Sequence, residues 1–241
     1  MNQRIFRKKN CLITGSTGGL GEELAIQFAS SGCNVFLTGR NQKKLDKLKK
    51  YLVNKYKIKI FTKTADLTST EDINLLIKTV RKNFSNVDIL VNCAGIFPVK
   101  LMQDTTINEF DECFNINIRA PFLLSREFST DMMKRKWGRI INIGSSSAYQ
   151  GFRETSLYCA SKHALLGFSR SIYEELREHN VRTFCISPGS VKTAMGKKVK
   201  NQNYETFMDP KEISEFILNI VKYDKEMNSW EIKIRRINAP N

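Results

Sequence analysis

Tyr158 and Lys162 stand four residues apart in the run Tyr158-Cys159-Ala160-Ser161-Lys162, with Ser145 thirteen residues upstream. On a helix, positions i and i+4 lie one above the other on one face, so the phenol hydroxyl and the ammonium can point into one cleft. A free tyrosine ionises near pH ~10 and is a poor acid–base catalyst at neutral pH. A fixed ammonium beside it favours the phenolate, and a drop of ~3 units corresponds to ~4 kcal/mol of differential stabilisation. Such a pair gives a proton to, or takes one from, an oxygen that is becoming or ceasing to be a carbonyl. Taken alone, the spacing equally describes a helix face with a half-buried tyrosine and a solvated lysine.

A second cluster of chemistry-bearing residues opens the chain: Thr14-Gly15-Ser16-Thr17-Gly18-Gly19-Leu20-Gly21. The glycines at Gly15, Gly19 and Gly21 follow an apolar run and precede a helical pattern. In that setting glycines let backbone N–H groups approach a pyrophosphate at a helix N-terminus. Folds of this kind that use NAD carry an acid at the end of the second strand, ~20 residues on. Here the segment reads Leu37-Thr38-Gly39-Arg40-Asn41. With no acid there, and with the fork of donors that Arg40 offers to a 2′-phosphate, the residues favour NADP (NADPH over NADH). Asp66, in Ala65-Asp66-Leu67, is placed to contact the adenine edge or to serve as a turn residue.

These clusters need a scaffold, and apolar strand-like runs alternate with helical patterns from end to end. Strands are expected at about 9–14, 34–39, 58–63, 87–91, 139–144 and 181–187, with a further one at 231–235. Helices are expected at about 19–31, 41–55, from a cap at Ser69 or Thr70, over 106–134 with an interruption near Pro121, and at 156–178 and 210–223. Regular βα alternation predicts a Rossmann-like α/β fold: a doubly wound parallel sheet with helices on both faces. No repeat or low-complexity linker divides the chain, so residues 1–241 read as a single dinucleotide-binding catalytic domain.

At 241 residues, with 41% hydrophobic and 26% charged content, the chain has the composition of an ordinary globular domain. No apolar run approaches the ~18 residues a membrane span needs. The basic start, Met1 to Asn10, runs through only a short apolar stretch into the glycine turn and does not read as a leader. A cytoplasmic location is expected. The six cysteines show no metal or redox spacing and read as buried reduced thiols. With His163 and His179 the only histidines, no metal site is expected. The net charge of +15 raises nucleic acid, anionic lipid or acidic ligands as partners. Its Lys and Arg are spread along the chain, with Lys43, Lys44, Lys47, Lys49 and Lys50 on one helix. Solvated helix faces account for most of it, and neither nucleic acid nor membrane is expected.

In the order and spacing of these motifs the chain resembles the short-chain dehydrogenase/reductase family over nearly its whole length. Asn92-Cys93-Ala94-Gly95 matches the family's Asn-x-Ala-Gly sequence beside the cofactor. Asn117, in Phe114-Asn115-Ile116-Asn117-Ile118, matches the helix Asn of the catalytic tetrad, whose other members here are Ser145, Tyr158 and Lys162. Pro188-Gly189 and Thr193 match the segment that touches the nicotinamide carboxamide. The resemblance implies a cofactor set of Gly15, Thr17, Gly19, Leu20, Gly21, Arg40, Asp66, Leu67, Asn92, Ala94, Gly95, Tyr158, Lys162, Pro188, Gly189, Val191 and Thr193. It implies hydride transfer between nicotinamide and a carbonyl carbon. Tyr158 would exchange the proton and Ser145 would hold the substrate oxygen. Lys162 would lower the Tyr pKa and hold the ribose, and Asn117 would keep a water in line for proton relay.

Within the family, Met132 to Ile141 most resembles 3-oxoacyl–acyl-carrier-protein reductases, whose basic surface there helps dock an acidic carrier. The tail, Asn228 to Arg236, is more similar to that of NADP-dependent 3-hydroxy acid dehydrogenases. The implied activity is interconversion of a ketone and a secondary alcohol, most like 3-oxoacyl thioester reduction. An oxidoreductase of an anionic sugar or 3-hydroxy acid is the alternative, and a catalytically silent dinucleotide sensor is the reading from another class. Specificity is expected in 150–157, with Arg153 and Glu154, and in a substrate loop at about 190–207, with Lys192, Lys197, Lys198 and Lys200. A basic lid there suits a carboxylate, phosphate or nucleotide-bearing substrate, or is simply a solvated loop. Helices 117–134 and 156–178 resemble those of the family's dimer interface, so a homodimer or homotetramer is expected.

Overall fold

Each anticipated apolar run forms a strand in the computed structural model, which describes residues 6–238. The first five residues of the basic start lie outside the described residues. The strands are β1 (Asn10–Ile13), β2 (Asn34–Gly39), β3 (Ile60–Thr64), β4 (Ile89–Asn92), β5 (Gly138–Ile143), β6 (Val181–Pro188) and β7 (Glu231–Ile234). All are parallel, in the order β3-β2-β1-β4-β5-β6-β7. The chain winds outward from β1 to one edge, then restarts at β4 on the other side. A crevice opens at the carboxyl ends of β1 and β4, the topological switch point where open α/β sheets bind ligands.

Alternation along each strand sends successive side chains to opposite faces. Cys11, Ile13, Val35, Leu37, Val91, Ile141 and Ile186 pack on one face against α1 (Gly19–Ser30), α2 (Gln42–Lys55) and α7 (Pro210–Val221). Leu12, Phe36, Leu90 and Ile140 pack on the other against α3 (Thr70–Asn83), α5 (Ala120–Lys134) and α6 (Ser156–Leu176). The Lys-rich helix α2 buries Leu45, Leu48 and Leu52 and leaves Lys43, Lys44, Lys47 and Lys50 exposed, so its charge is a solvated face. Of the two cap candidates for α3, Ser69 is the cap: its hydroxyl accepts from the Asp72 N–H. Among the described residues no helix is long and apolar enough to cross a membrane.

Two features differ from expectation in ways that matter. The helical pattern over 106–134 is interrupted before Pro121, not by it. A helix α4 (Ile107–Phe114), capped reciprocally by Thr106 and Glu109, runs into a π-helical turn at Asn115–Arg119, and Pro121 sits harmlessly in the first turn of α5. The second concerns the basic run around Trp137. Arg139 is fully buried, because its place in central strand β5 points it under the C-terminal segment. Its guanidinium donates to the carbonyls of Val221 and Tyr223 (3.2 and 3.1 Å) and meets Asp224 at 2.6 Å. Arg182 on β6 likewise donates to the carbonyls of Met227 and Lys225. Arg139 is therefore a clamp for the tail rather than part of a docking surface. Arg139→Met is expected to cost about 3 kcal/mol, because those buried carbonyls lose a charged donor. The urea midpoint measures it, and a loss within ~0.5 kcal/mol, typical of a surface position, would remove the clamp role.

Candidate active site

The glycine turn between β1 and α1 is shaped by what its glycines leave out. Gly15 has a φ of +65°, and a Cβ there would lie 2.7 Å from the Ala94 Cα; a Cβ on Gly21 would collide with the Gly15 carbonyl. Gly19 faces Thr193, whose Cγ2 would stand 2.8 Å from an added Cβ. Ser16 fixes the turn to the end of β2, its N–H and its hydroxyl both donating to the Thr38 carbonyl (3.1 and 3.0 Å). Thr14 fixes it to the end of β4: its hydroxyl oxygen accepts from the N–H groups of Cys93 and Ala94, each at 3.1 Å. Neither hydroxyl stands out in the sequence, since Ser and Thr beside glycine look like ordinary turn residues.

This turn is one end of a cavity of about 760 Å³. Of the residues anticipated for a cofactor, Gly15, Thr17, Gly19, Leu20, Gly21, Arg40, Leu67, Ala94, Gly95, Pro188, Gly189, Val191 and Thr193 line it. Two do not. Asn92 is buried and ties β4 to its neighbours, its Nδ2 donating to Asn142 Oδ1 (2.8 Å) and Ser125 Oγ (3.3 Å). Asp66 stays outside the cavity wall and takes the turn role, its Oδ1 accepting from the N–H and hydroxyl of Thr68 (3.0 and 2.9 Å). Those two bonds hold its carboxyl below the usual range.

Ser145, Tyr158 and Lys162 converge on the wall at the other end. Ser145 leaves β5 and caps a short 3-10 turn, accepting from the Ser147 N–H at 3.1 Å. Tyr158 and Lys162 lie on the first turns of α6, the Lys162 Nζ 5.7 Å from the tyrosine ring centroid and donating to the Ile143 carbonyl at 2.8 Å. The electrostatics correct the sequence expectation. Burial pushes the Tyr158 hydroxyl up to about 12, with the adjacent Ser145 side chain pulling the other way. Burial also pulls Lys162 down to about 8. Burial is the largest influence on both groups, and it favours the neutral phenol at neutral pH. Tyr149, the other tyrosine near Ser145, lies outside the cavity wall with Lys233 3.7 Å over its ring.

The depressed Lys162 has a stability consequence. Its charged form is disfavoured in the folded state, so the full penalty is present below about pH 8. It is relieved as pH rises from there toward 10.5, where the unfolded chain binds more protons. The fall from 10.5 to about 8 corresponds to about 3 kcal/mol, and a substitution that orphans the Ile143 carbonyl gives back about 1–2 kcal/mol of that. Lys162→Met is thus expected to be inactive yet about 1–2 kcal/mol more stable at pH 7, with the advantage shrinking by pH 9.5. Urea denaturation of the cofactor-free protein at the two pH values checks both sign and trend.

Asn117, anticipated as a water-holding member of the tetrad, is fully buried in the π-helical turn and off the cavity wall. Its Oδ1 accepts from the Ile96 N–H (3.0 Å), and its Nδ2 donates to the Ile96 carbonyl (3.1 Å) and Ser161 Oγ (3.0 Å). The amide thus holds the segment after β4 against α6. That segment supplies residues the sequence reading missed. Phe97 packs edge-on against the Tyr158 ring at 4.7 Å, and with Val99, Phe152, Met195 and Val199 it gives this end an apolar wall. Among the described residues no group of three His, Cys, Asp or Glu side chains could hold a metal ion.

A strand–glycine turn–helix at a switch point, sharing one cavity with a Ser, Tyr and Lys, is the arrangement of a dinucleotide-dependent oxidoreductase. Comparison with known proteins agrees. The family model for short chain dehydrogenases matches residues 9–204, and the chain belongs to that family. It is 34% identical over 200 residues to nodulation protein G of Rhizobium sp. (strain N33), covering 83% of this chain and 80% of the relative. It is 31% identical over 219 residues to a 3-oxoacyl-[acyl-carrier-protein] reductase of Aquifex aeolicus (strain VF5), covering 87% and 88%. Among solved structures, a metagenomic short-chain oxidoreductase in complex with NADP superposes with a TM-score of 0.84 at 26% identity, covering 98% of this chain and all of that one.

Proposed function

We propose that this protein is an NADPH-dependent reductase that converts a ketone to a secondary alcohol, most like a 3-oxoacyl thioester reductase. The observation that carries the reading is the convergence of Ser145, Tyr158 and Lys162 on one cavity whose far end is the glycine turn. The cradle fits a dinucleotide: side chains are excluded at Gly15 and Gly21 where a pyrophosphate would approach, and Arg40 lines the wall beyond β2. When bound, the nicotinamide supplies the hydride. Pro188, Gly189 and Thr193 border its end of the cavity. Ser145 orients the substrate oxygen, and Tyr158, held protonated by burial, gives that oxygen its proton. Lys162 anchors the ribose beside the tyrosine, and Asn117 positions the segment that carries Phe97. The relatives that are 3-oxoacyl reductases support the thioester, while the burial of Arg139 removes one basic residue from the surface expected to dock a carrier.

Loop 190–207 covers the substrate end. A homodimer through the outer faces of α5 and α6 fits the half-exposed Phe122, which packs 5.7 Å from Phe168 beside a cavity of about 300 Å³ between the two helices. Six free thiols suit a reducing compartment such as the cytoplasm. The function is tested by NADPH oxidation against 3-oxoacyl thioesters, 3-oxo acids and keto-sugars. Turnover of thioesters above the other classes supports the reading, and turnover confined to keto-sugars replaces it. Light scattering at micromolar concentration tests the dimer, and a monomeric mass rejects it.

A further inference from the structure

Among the described residues, seven charged side chains line the large cavity: six are basic and one, Glu154, is acidic. The structure sorts them. Arg40 and Lys44 lie beside the end of β2, where the adenosine side of a dinucleotide would rest, and Lys162 lies under Tyr158. Lys200 is neutralised, its Nζ 2.7 Å from the Glu154 carboxylate, which that bond holds below its ordinary pKa. Arg153 and Lys198 remain. Both are exposed, and neither has an acid within ion-pair distance among the described residues.

Their neighbours on the same loop are accounted for. Lys192 reaches Glu205 at 3.4 Å, and Lys197 lies over the Tyr204 ring at 5.7 Å. The loop leaves the glycine turn at Thr193 and meets the β5–α6 connection at the Lys200–Glu154 pair, so Arg153 and Lys198 flank the point where the two segments join. Glu154 makes that junction firm. It adopts a φ of +63°, uncommon for a residue with a side chain. Its carbonyl accepts from the Lys100 N–H at 2.6 Å while its carboxylate holds Lys200. The turn that presents Arg153 is therefore pinned from two sides.

Beneath these cations the wall is apolar, formed by Phe97, Val99, Phe152 and Met195. Low-dielectric walls concentrate the field of a like-signed pair at a cavity mouth, and a guanidinium fork matches the oxygens of a carboxylate or phosphate. Resting on the reductase reading above, we infer that the substrate carries an anionic oxygen group beyond its carbonyl, and that Arg153 and Lys198 recognise it at the mouth of the cavity. Either the carboxylate of a free oxo acid or the phosphate of a pantetheine arm has this chemistry.

Two matched pairs distinguish these sources: 3-oxobutanoate against its methyl ester, and the 3-oxobutanoyl thioester of phosphopantetheine against that of pantetheine. With NADPH, wild-type kcat/KM should favour the charged member of at least one pair by about tenfold or more, and Arg153→Gln with Lys198→Gln should bring that ratio within about twofold of unity. The pair that responds names the source. No preference in either pair, or a preference that survives the double substitution, overturns the inference. So does an equal loss on charged and neutral members through a raised KM for NADPH, which would assign the two cations to the cofactor's phosphates. If no ketone is reduced at all, the reductase reading fails on its own. Calorimetry then decides the inference separately, using 3-hydroxybutanoate, its methyl ester and the two 3-hydroxybutanoyl thioesters with NADP⁺-loaded protein. The same preference and the same loss in the double variant support it, and their absence rejects it.

Discussion

Tyr158→Phe is expected to lower turnover of the best ketone by about 10²- to 10⁴-fold, the usual contribution of a placed general acid, while leaving NADPH binding in place. Only a hydroxyl is removed. The ring stays wedged against Phe97 and the helix that carries it is unaltered. The direction of reaction matters to how the loss is seen. A hydroxyl pushed up to about 12 is protonated throughout the neutral range, which suits proton donation in reduction. Oxidation asks the same group to act as a base and should gain rate as pH rises. Steady-state kinetics in both directions, paired with a fluorescence titration of NADPH, make the measurement. A Phe variant within tenfold of wild type on any good substrate would remove Tyr158 from the role. Lys162→Ala, by contrast, is expected to damage turnover and cofactor binding together.

Arg40→Ala should reduce kcat/KM with NADPH by about 10- to 150-fold, the range for a lost hydrogen bond to a charged group at ~1.4 kcal/mol per decade. NADH lacks the 2′-phosphate and should be affected far less. Arg40 already lies 3.8 Å from Glu112, with 64% and 46% of the two side chains exposed. Exposed pairs of this kind contribute ~0–1 kcal/mol, so releasing Glu112 cannot hide the effect. Equal losses with both cofactors, or a wild-type protein that prefers NADH, would mean that Arg40 only opens the Lys-rich helix.

Features legible in the sequence were those that short-range geometry dictates. Gly15, Gly19 and Gly21 sit where a strand must turn into a helix, and Tyr158 and Lys162 share a helix face whatever the rest of the chain does. The parallel sheet with helices on both faces followed from the βα alternation, whereas the order of its strands came only with the structure. What escaped was set by partners distant in sequence. Arg139 stands in a run of cations that reads as surface, yet its strand is central and its partners lie some 85 residues on. Asn92 and Asn117 match a binding pattern, but the Asn92 Nδ2 is taken by Asn142 while its Oδ1 is left without a partner among the described residues, and both ends of the Asn117 amide bond Ile96. The spacing of Tyr158 and Lys162 reports the cation and says nothing of burial, which pushes the tyrosine up and the lysine down. Phe97 lacked any signal beyond following Gly95.

The π-helical turn at Asn115–Arg119 bears on how this protein can change over generations. A π turn holds one more residue than the α-helical turn it replaces. Deleting a single residue such as Ile118 would let α4 run straight into α5 and would rotate Asn117 by ~100° relative to the downstream helix. The straightened helix would have better hydrogen-bond geometry, but the clamp on Ile96, and with it the placement of Phe97 beside Tyr158, would be lost. Selection for heat resistance alone would therefore favour erasing this irregularity, and selection for turnover would keep restoring it.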